Sequence, residues 1–348
     1  MTPLLADFGD SFWLPTRAST YARGVDSVFA FILWLSVFFF VLVVLLMVVF
    51  VVRYRQRRGA KGQGPAGRAS HNTALELTWT IIPTILVVII FLLGHRAYVR
   101  MAMLPPGITD EIDVTASTWN WLFTYQPSGY ESSELHLPLG VPIRLVLRSN
   151  DVIHGFFIPD FRFKKDVVPG RETVVSITAT KLGTFDLYCS QYCGTQHSTM
   201  LASVIVHDPD DYQRWLKRSI EEEKNFDPVA AGRLLYQRRG CAQCHTVDGS
   251  TLAGPSFRDL FGSTQRFTDG SSAVIDEPFI RQFVRSPQAR IPVGFEPLMQ
   301  PFTLDALSEK DLSAIVAYMR SISAHAPRDA ATRPSTTTRP AATTLRPD

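Results

Sequence analysis

The chain of 348 residues is predicted to be multidomain: a two-helix transmembrane hairpin, then an all-β domain, then an all-α domain. Three observations predict this. Two long apolar runs lie in the first hundred residues, short alternating segments fill the middle, and helical periodicity takes over past His207. The length alone exceeds a comfortable single core. A net charge of +3 is nearly neutral for this size, and the hydrophobic fraction of 46% is ordinary but unevenly spread. The positive charge is not gathered on aromatic-interleaved stripes, so nothing points to a nucleic acid partner.

Val28 to Val52 is apolar except for Ser36, longer than the roughly 20 residues a helix needs to cross the hydrocarbon layer. It is too long and too far from Met1 for a cleaved signal peptide, and a basic stop follows it rather than a small-residue cleavage site. A second span runs from Leu77 to Leu93. Pro83 within it is tolerable where neighbouring helices satisfy the freed carbonyl. Arg53, Arg55, Arg57, Arg58, Lys61 and Arg68 lie between the spans, with no acidic residue before Glu76. The positive-inside rule makes this loop of the hairpin (26–99) cytoplasmic. The N-terminal segment (1–25) and everything after Arg96 then face outward.

The β domain is expected over residues 100–207, and from Glu111 to Val206 its pattern is short and alternating. E-I-D-V-T-A-S-T, P-I-R-L-V-L-R-S, T-V-V-S-I-T-A-T, T-F-D-L-Y and M-L-A-S-V-I-V read as strands separated by Gly, Pro, Asn and Asp. Ile143, Leu145 and Leu147 share one face of the second and Arg144 and Arg148 the other, so a small antiparallel sandwich or barrel is expected. In the linker (208–226), Tyr212, Trp215, Leu216 and Ile220 share a helical face, and the charged stretch Glu221 to Lys224 is a solvated connector. The α domain (227–325) has three expected helices: A-A-G-R-L-L-Y-Q-R-R, P-F-I-R-Q-F-V-R, and one capped by Ser308 with Asp311. The last places Leu312, Ile315, Val316 and Met319 on one face. The tail (326–348), rich in Thr, Pro and Arg, is expected to be disordered.

Each of the four cysteines has an address in metal chemistry. Cys189 and Cys193 lie in C-S-Q-Y-C-G-T-Q-H-S-T-M, with His154 upstream. Thiolates with imidazoles and a weak thioether form the ligand set of copper electron-transfer sites. A mononuclear blue-copper site needs one cysteine, whereas two thiolates can bridge two ions. A tetrahedral zinc site from Cys189, Cys193, His197 and His154 is the alternative, and it leaves Met200 unexplained. His71, His95, His136 and His207 receive no metal role and are expected to be ordinary surface or interfacial residues.

C-A-Q-C-H is the attachment signal of a c-type haem: Cys241 and Cys244 add across the vinyl groups and His245 ligates iron. The adjacent histidine excludes a thioredoxin-like reading. Met299, in a Pro-rich loop before the last helix, is the expected sixth ligand, and Met319 is expected in the core. A Met/His pair raises the haem potential and leaves no open site, which suits electron transfer.

His154 in N-D-V-I-H-G-F-F-I-P, followed by K-K-D-V-V-P-G-R and the cysteine run, resembles subunit II of haem–copper cytochrome c oxidase. The resemblance implies a cupredoxin-like Greek-key domain holding the binuclear copper centre CuA. Cys189 and Cys193 would bridge both coppers, with His154 and Met200 on one ion, and with His197 and the backbone carbonyl of Gln191 on the other. Many family members have Glu where Gln191 stands, so the carboxylate that usually reaches an interfacial magnesium ion is missing. In T-W-N-W-L-F-T-Y, Trp119 would be the residue where electrons enter and Trp121 a packing neighbour. In L-E-L-T-W-T-I-I-P, Glu76 would stand at the mouth of a proton pathway into subunit I; from position alone it is an interfacial carboxylate. Residues 227–324 resemble a class I cytochrome c domain in which the Pro255 carbonyl orients His245.

The resemblance thus implies the electron-input subunit of a respiratory oxidase in a bacterial inner membrane, with its redox domains periplasmic. Electrons would pass from cytochrome c or another one-electron donor through covalent haem c to CuA. Subunit I, a partner with the other subunits of the complex, would then reduce oxygen to water. Two alternatives remain: a nitric oxide or nitrous oxide reductase component, or a membrane-tethered copper assembly protein without turnover.

Overall fold

The computed structural model describes residues 13–55, 71–304 and 306–326. The expected disorder of the tail and most of the basic loop lie outside these residues. The described chain divides into two compact units that meet at Glu221 and Glu222.

The first unit opens with two long helices, α1 (Ala22–Tyr54) and α2 (Thr73–Ala102). Their most apolar windows have mean hydropathies of 3.4 and 2.4 and bury nothing inside the unit. Phe40 and Phe91, for example, are 69% and 64% exposed. Helices apolar on every side are stable only where lipid or other membrane helices cover them. Helix α2 begins with a reciprocal cap. Asn72 Oδ1 accepts from the amide of Leu75 at 3.1 Å, and Glu76 Oε1 accepts from the amide of Asn72 at 3.3 Å, which satisfies two N–H groups that the helix cannot. The helix continues through Pro83.

Ten strands follow, and they form two facing five-stranded sheets. In chain order these are β1 (Glu111–Ser117), β2 (Asn120–Tyr125), β3 (Tyr130–Ser132), β4 (Leu135–Pro138), β5 (Pro142–Ser149), β6 (His154–Ile158), β7 (Phe163–Val167), β8 (Thr173–Thr178), β9 (Gly183–Cys189) and β10 (Leu201–His207). One sheet has the order β3-β2-β1-β5-β8 and the other β4-β10-β9-β6-β7. The expectation of a purely antiparallel sandwich needs correction, because β1 pairs with β5 and β10 with β4 in parallel. The partners in each pair are far apart in sequence, and the intervening strands return the chain in the same direction. Alternation seats the core: Trp121, Phe123 and Tyr125 point inward from β2, against Leu145 and Leu147 of β5 and Phe156 of β6.

The sandwich is fastened to α1 by charge. Asp26 is 1% exposed and accepts from Arg17 Nε at 2.6 Å and from Arg162 Nε at 2.8 Å. Arg162 also donates to the carbonyls of Pro15, Thr16 and Pro159. A buried carboxylate is tolerable only when paired in this way.

Helix α3 (Pro209–Lys224) leaves the sandwich with Tyr212 buried and Trp215, Leu216 and Ile220 half-buried. Trp215 stacks on His136, with ring centroids 3.7 Å apart. Of the expectation that His136 is a surface or interfacial residue, only the second half holds: it is 6% exposed, lies between sandwich and α3, and is hydrogen-bonded through Nδ1 to His207 Nε2 at 2.8 Å.

The second unit holds α4 (Pro228–Arg238), β11 (Thr264–Arg266), β12 (Ser272–Val274), α5 (Glu277–Arg285) and α6 (Glu309–Ser321). The three expected helices are present, and a short β11–β12 hairpin is added. Asp227, Asp276 and Ser308 cap α4, α5 and α6 by accepting from the amides of Ala230, Phe279 and Asp311. Gly232 of α4 meets α6 so closely that a Cβ there would lie 1.9 Å from the Ala314 carbonyl oxygen. Leu235, Phe257, Ile280, Leu312, Ile315, Val316 and Met319 fill the core.

Candidate metal and haem centres

Strand β9 delivers Cys189 at its end, a loop with a short turn at His197–Thr199 follows, and β10 resumes at Leu201. Strand β6 lies beside β9 in a register that pairs Phe156 with Cys189, so His154, two residues earlier, reaches the loop. The sulfurs of Cys189 and Cys193 are 3.6 Å apart. His154 Nδ1 is 3.9 Å from Cys189 Sγ, and His197 Nδ1 is 3.5 Å from Cys193 Sγ. Met200 Sδ is 3.8 Å from Cys193 Sγ, and the Gln191 carbonyl accepts from Cys189 Sγ at 3.2 Å. Six donors named from sequence are therefore gathered in one loop and the strand beside it. Cys189, Cys193, His154 and Met200 are buried, and His197 is half-exposed.

The electrostatics of the thiols suit a cation. Burial raises the Cys189 thiol, but hydrogen bonds from His154 and the surrounding backbone outweigh it and hold the group low. Burial, and then the neighbouring Cys189 charge, pushes Cys193 up. One thiolate forms readily and the second is resisted unless a positive ion sits between them.

Asp151 was not singled out from sequence, although it lies three residues before His154 in the quoted motif. Its Oδ1 lies 2.8 Å from His154 Nε2 and accepts from the amide of Val152 at 2.7 Å. Its Oδ2 accepts from Thr118 Oγ1 at 2.8 Å and from the Thr118 amide. Burial opposes the Asp151 charge, but these bonds win and hold it down to about 2. Burial likewise opposes charge on His154, yet Asp151 and Cys189 lift it to about 9. The carboxylate therefore holds the imidazole with Nδ1 toward the sulfurs. Asp151→Asn is expected to weaken metal binding by about 10- to 100-fold, as read by chelator competition; unchanged affinity would make the bond incidental.

Trp119 is 7% exposed, and its Nε1 donates to the Cys193 carbonyl at 3.1 Å. Its ring covers Gly194, where a Cβ would come within 3.1 Å of the indole. Trp121 packs edge-on against His154 and Phe156, with centroids 6.1 and 5.7 Å away. Gly155 is required by close approach: a Cβ there would lie 2.9 Å from the Gln191 backbone nitrogen. The Gln191 side chain turns outward and donates to Asp166 at 3.0 Å, at the edge of a cavity of about 460 Å³ lined also by Lys164, Lys165 and Arg171.

In the second unit, α4 runs into a short turn at Cys241–Gln243, preceded by Gly240 in the left-handed region at φ 74°. Cys241 and Cys244 are both half-buried. His245 Nδ1 is 2.7 Å from the Pro255 carbonyl oxygen, and Phe257 packs on the ring at 4.8 Å. Tyr236 Oη donates to the His245 carbonyl. Burial holds the His245 ring neutral, against the Pro255 bond. A neutral ring that donates through Nδ1 keeps the Nε2 lone pair for a metal. At Gly254 a Cβ would lie 2.5 Å from this ring. Met299 is half-buried in the coil before α6, and Met319 is packed in the core at 3% exposure. Glu76, at the cap of α2, is half-buried.

Comparison with known proteins gives three family matches in chain order. Residues 9–95 match the transmembrane domain of cytochrome c oxidase subunit II, residues 130–207 its periplasmic domain, and residues 229–323 cytochrome c. A cytochrome c oxidase subunit 2 from Thermostichus vulcanus is 31% identical over 268 residues, covering 60% of this chain and 81% of the relative. Another, from Alkalihalophilus pseudofirmus, is 30% identical over 303 residues, covering 84% of this chain and 85% of the relative. The solved periplasmic domain of cytochrome oxidase subunit II from Bradyrhizobium japonicum covers 34% of this chain and 99% of its own, with 26% identity and a TM-score of 0.32.

Proposed function

The chain belongs to the cytochrome c oxidase subunit II family and carries a cytochrome c domain after its copper domain, and we propose that it is the electron-input subunit of a terminal respiratory oxidase. In this reading electrons come from cytochrome c or another external one-electron donor and leave for subunit I, where oxygen is reduced to water. The membrane is a bacterial inner membrane, and both redox units face its outer side. When bound, a binuclear copper centre and a covalent haem c supply the one-electron carriers.

The observation that carries the reading is the arrangement of donors around two sulfurs. The ligand atoms of His154, Cys189 and Cys193 lie within 4.8 Å of one another, whereas His197 approaches from the Cys193 side at 3.5 Å. Four donors that closed on a single zinc ion would all be mutually close. Two sulfurs with an imidazole beside each would suit a pair of ions, to which Met200 and the Gln191 carbonyl would add weak contacts. Asp151 orients His154, Trp119 covers the loop as the residue where electrons enter, and burial of the sulfurs keeps water out. On the haem side, Cys241 and Cys244 would hold the group and His245 would ligate it, with the Pro255 carbonyl fixing the imidazole.

The test is the composition and activity of the purified membrane complex. Two coppers per chain, a haem-staining band on a denaturing gel and oxygen uptake with reduced cytochrome c are expected. Zinc in place of copper, or reduction of nitrogen oxides without oxygen uptake, would overturn the reading.

Met299 is proposed as the sixth haem ligand. Met299→His is expected to lower the haem potential, because imidazole favours ferric iron more than a thioether does. Loss of the near-infrared sulfur-to-iron band on changing Met319 instead would transfer the role. Glu76 is proposed as the proton inlet. Glutamine also completes the α2 cap, so Glu76→Gln keeps the helix start and removes only the titratable proton. Oxygen turnover should fall several-fold while copper reduction keeps its rate, and wild-type turnover would leave Glu76 a cap alone.

A further inference from the structure

A second cluster of titratable groups lies in the first unit, apart from the copper loop. His136 of β4 and His207, the last residue of β10, lie side by side with near-parallel rings, their centroids 5.1 Å apart at 11°. Their facing nitrogens are 2.8 Å apart, so one ring must donate and the other accept. Trp215 of α3 lies over this pair, 3.7 Å from His136 at 13° and 5.9 Å from His207 at 15°. Tyr125, Tyr130 and Tyr212 surround the indole at 5.3, 5.7 and 5.9 Å. The Tyr125 hydroxyl accepts from the His136 amide at 2.7 Å and donates to the Glu134 carbonyl at 3.2 Å.

At its far end α3 is held by Glu223, whose carboxylate accepts from Arg238 of α4 at 2.7 and 3.3 Å; its hold on the sandwich is separate. Gln213, Arg214, Lys217 and Arg218 are exposed, and the helix is strongly amphipathic, so its attachment to the sandwich rests on Tyr212, Trp215, Leu216 and Ile220. The same helix carries the chain from the first unit into the second.

We propose that His136, His207 and Trp215 form a protonation-sensitive latch that holds α3 on the copper-bearing unit near neutral pH and loosens it in acid. The paired rings can share one extra proton, and Glu134, whose Oε2 is 3.7 Å from His136 Nε2, offsets that charge. A second proton sets N–H against N–H, and the hydrogen bond that keeps the rings side by side beneath Trp215 is lost. The charged and titratable groups facing the pair are Glu134, Asp211 of α3 and the three tyrosines, with Asp110 beyond Tyr212. Burial, then the His136 charge, lowers His207 below its ordinary value, and Asp211 opposes them. A histidine lowered in the docked state favours docking above its free value of about 6.5 and withdraws that support as pH falls below it. The consequence, a longer tether for the haem domain and slower copper reduction in acid, rests on the electron-input reading; the latch itself does not.

The test is hydrogen exchange of residues 210–220 in the full chain, expressed as protection factors at pH 7.5 and 5.0, with copper and haem spectra recorded on the same samples. Wild-type protection should fall at least tenfold at pH 5.0. His207→Gln keeps a neutral amide in place of the ring Nε2, and its protection should change less than threefold. Trp215→Ala should be poorly protected at both values. His136→Asn serves the same purpose as His207→Gln if that variant does not fold. Equal wild-type protection at the two pH values, or an undiminished pH response in the glutamine and asparagine variants, would overturn the latch. Abnormal metal or haem content at pH 7.5 would instead count against the electron-input reading.

Discussion

Cys193→Ser will lose the near-infrared and paramagnetic signature of a copper pair altogether, while the haem spectrum keeps its wild-type intensity. The reason is the position of this one sulfur. It stands 3.6 Å from Cys189 Sγ, 3.5 Å from His197 Nδ1 and 3.8 Å from Met200 Sδ, at the centre of the donor set. Serine has nearly the same shape, but its hydroxyl is a hard donor that does not ionise near neutral pH. A mononuclear site built on Cys189 and His154 is the most that can remain. The residues proposed to hold the haem belong to the other compact unit, so folding there should not depend on the copper loop. Metal analysis beside electron paramagnetic resonance and a pyridine haemochrome assay reads both halves, and an unchanged copper signal would refute a bridging role.

Gly232→Val will prevent the haem unit from folding. A Cβ at this position would lie 1.9 Å from the Ala314 carbonyl oxygen, 2.5 Å from its carbonyl carbon and 2.8 Å from Tyr318 Cβ. Two of these contacts are backbone, which cannot rotate aside as a side chain can. Forcing α4 and α6 apart would open the core around Leu235, Ile315, Val316 and Met319. Overpacking a well-packed core costs roughly 1–3 kcal/mol, and more where backbone must move, against about 5–15 kcal/mol for a whole domain. Valine adds branching that disfavours the helix. Thermal unfolding followed at the haem band should show no cooperative transition, and Gly232→Ala should show one at markedly lower temperature. A valine variant melting within a few degrees of wild type would mean that the helices have room to separate.

Features that depend on local pattern and on ligand chemistry are legible in residue order. Two runs too apolar for water are spans wherever they lie. The cap at Ser308 is legible from a short polar side chain next to helical periodicity, and Asn72, Asp227 and Asp276, which were not among the expected caps, obey the same rule. The haem signal is legible because the three residues proposed to hold the group occupy five consecutive positions. The donors proposed for copper stand out because five of six fall in one loop.

Features that depend on register and crossing emerge in the folded chain. Strands β6 and β7 escaped notice: H-G-F-F-I and F-K-K-D-V lack clean alternation, because their pairing with β9 and with each other, not their own pattern, makes them strands. The parallel pairing of β1 with β5 arises from the path of the intervening chain. Asp151 acquires its role only when His154 is turned toward it. His136 and His207 are separated by most of the sandwich in sequence and meet only because β4 lies beside β10. The physical reason is common to all of these. A cap, a span or a haem signal is satisfied by neighbours within a few residues, whereas a strand register or a buried hydrogen bond is satisfied by a partner that folding alone brings near.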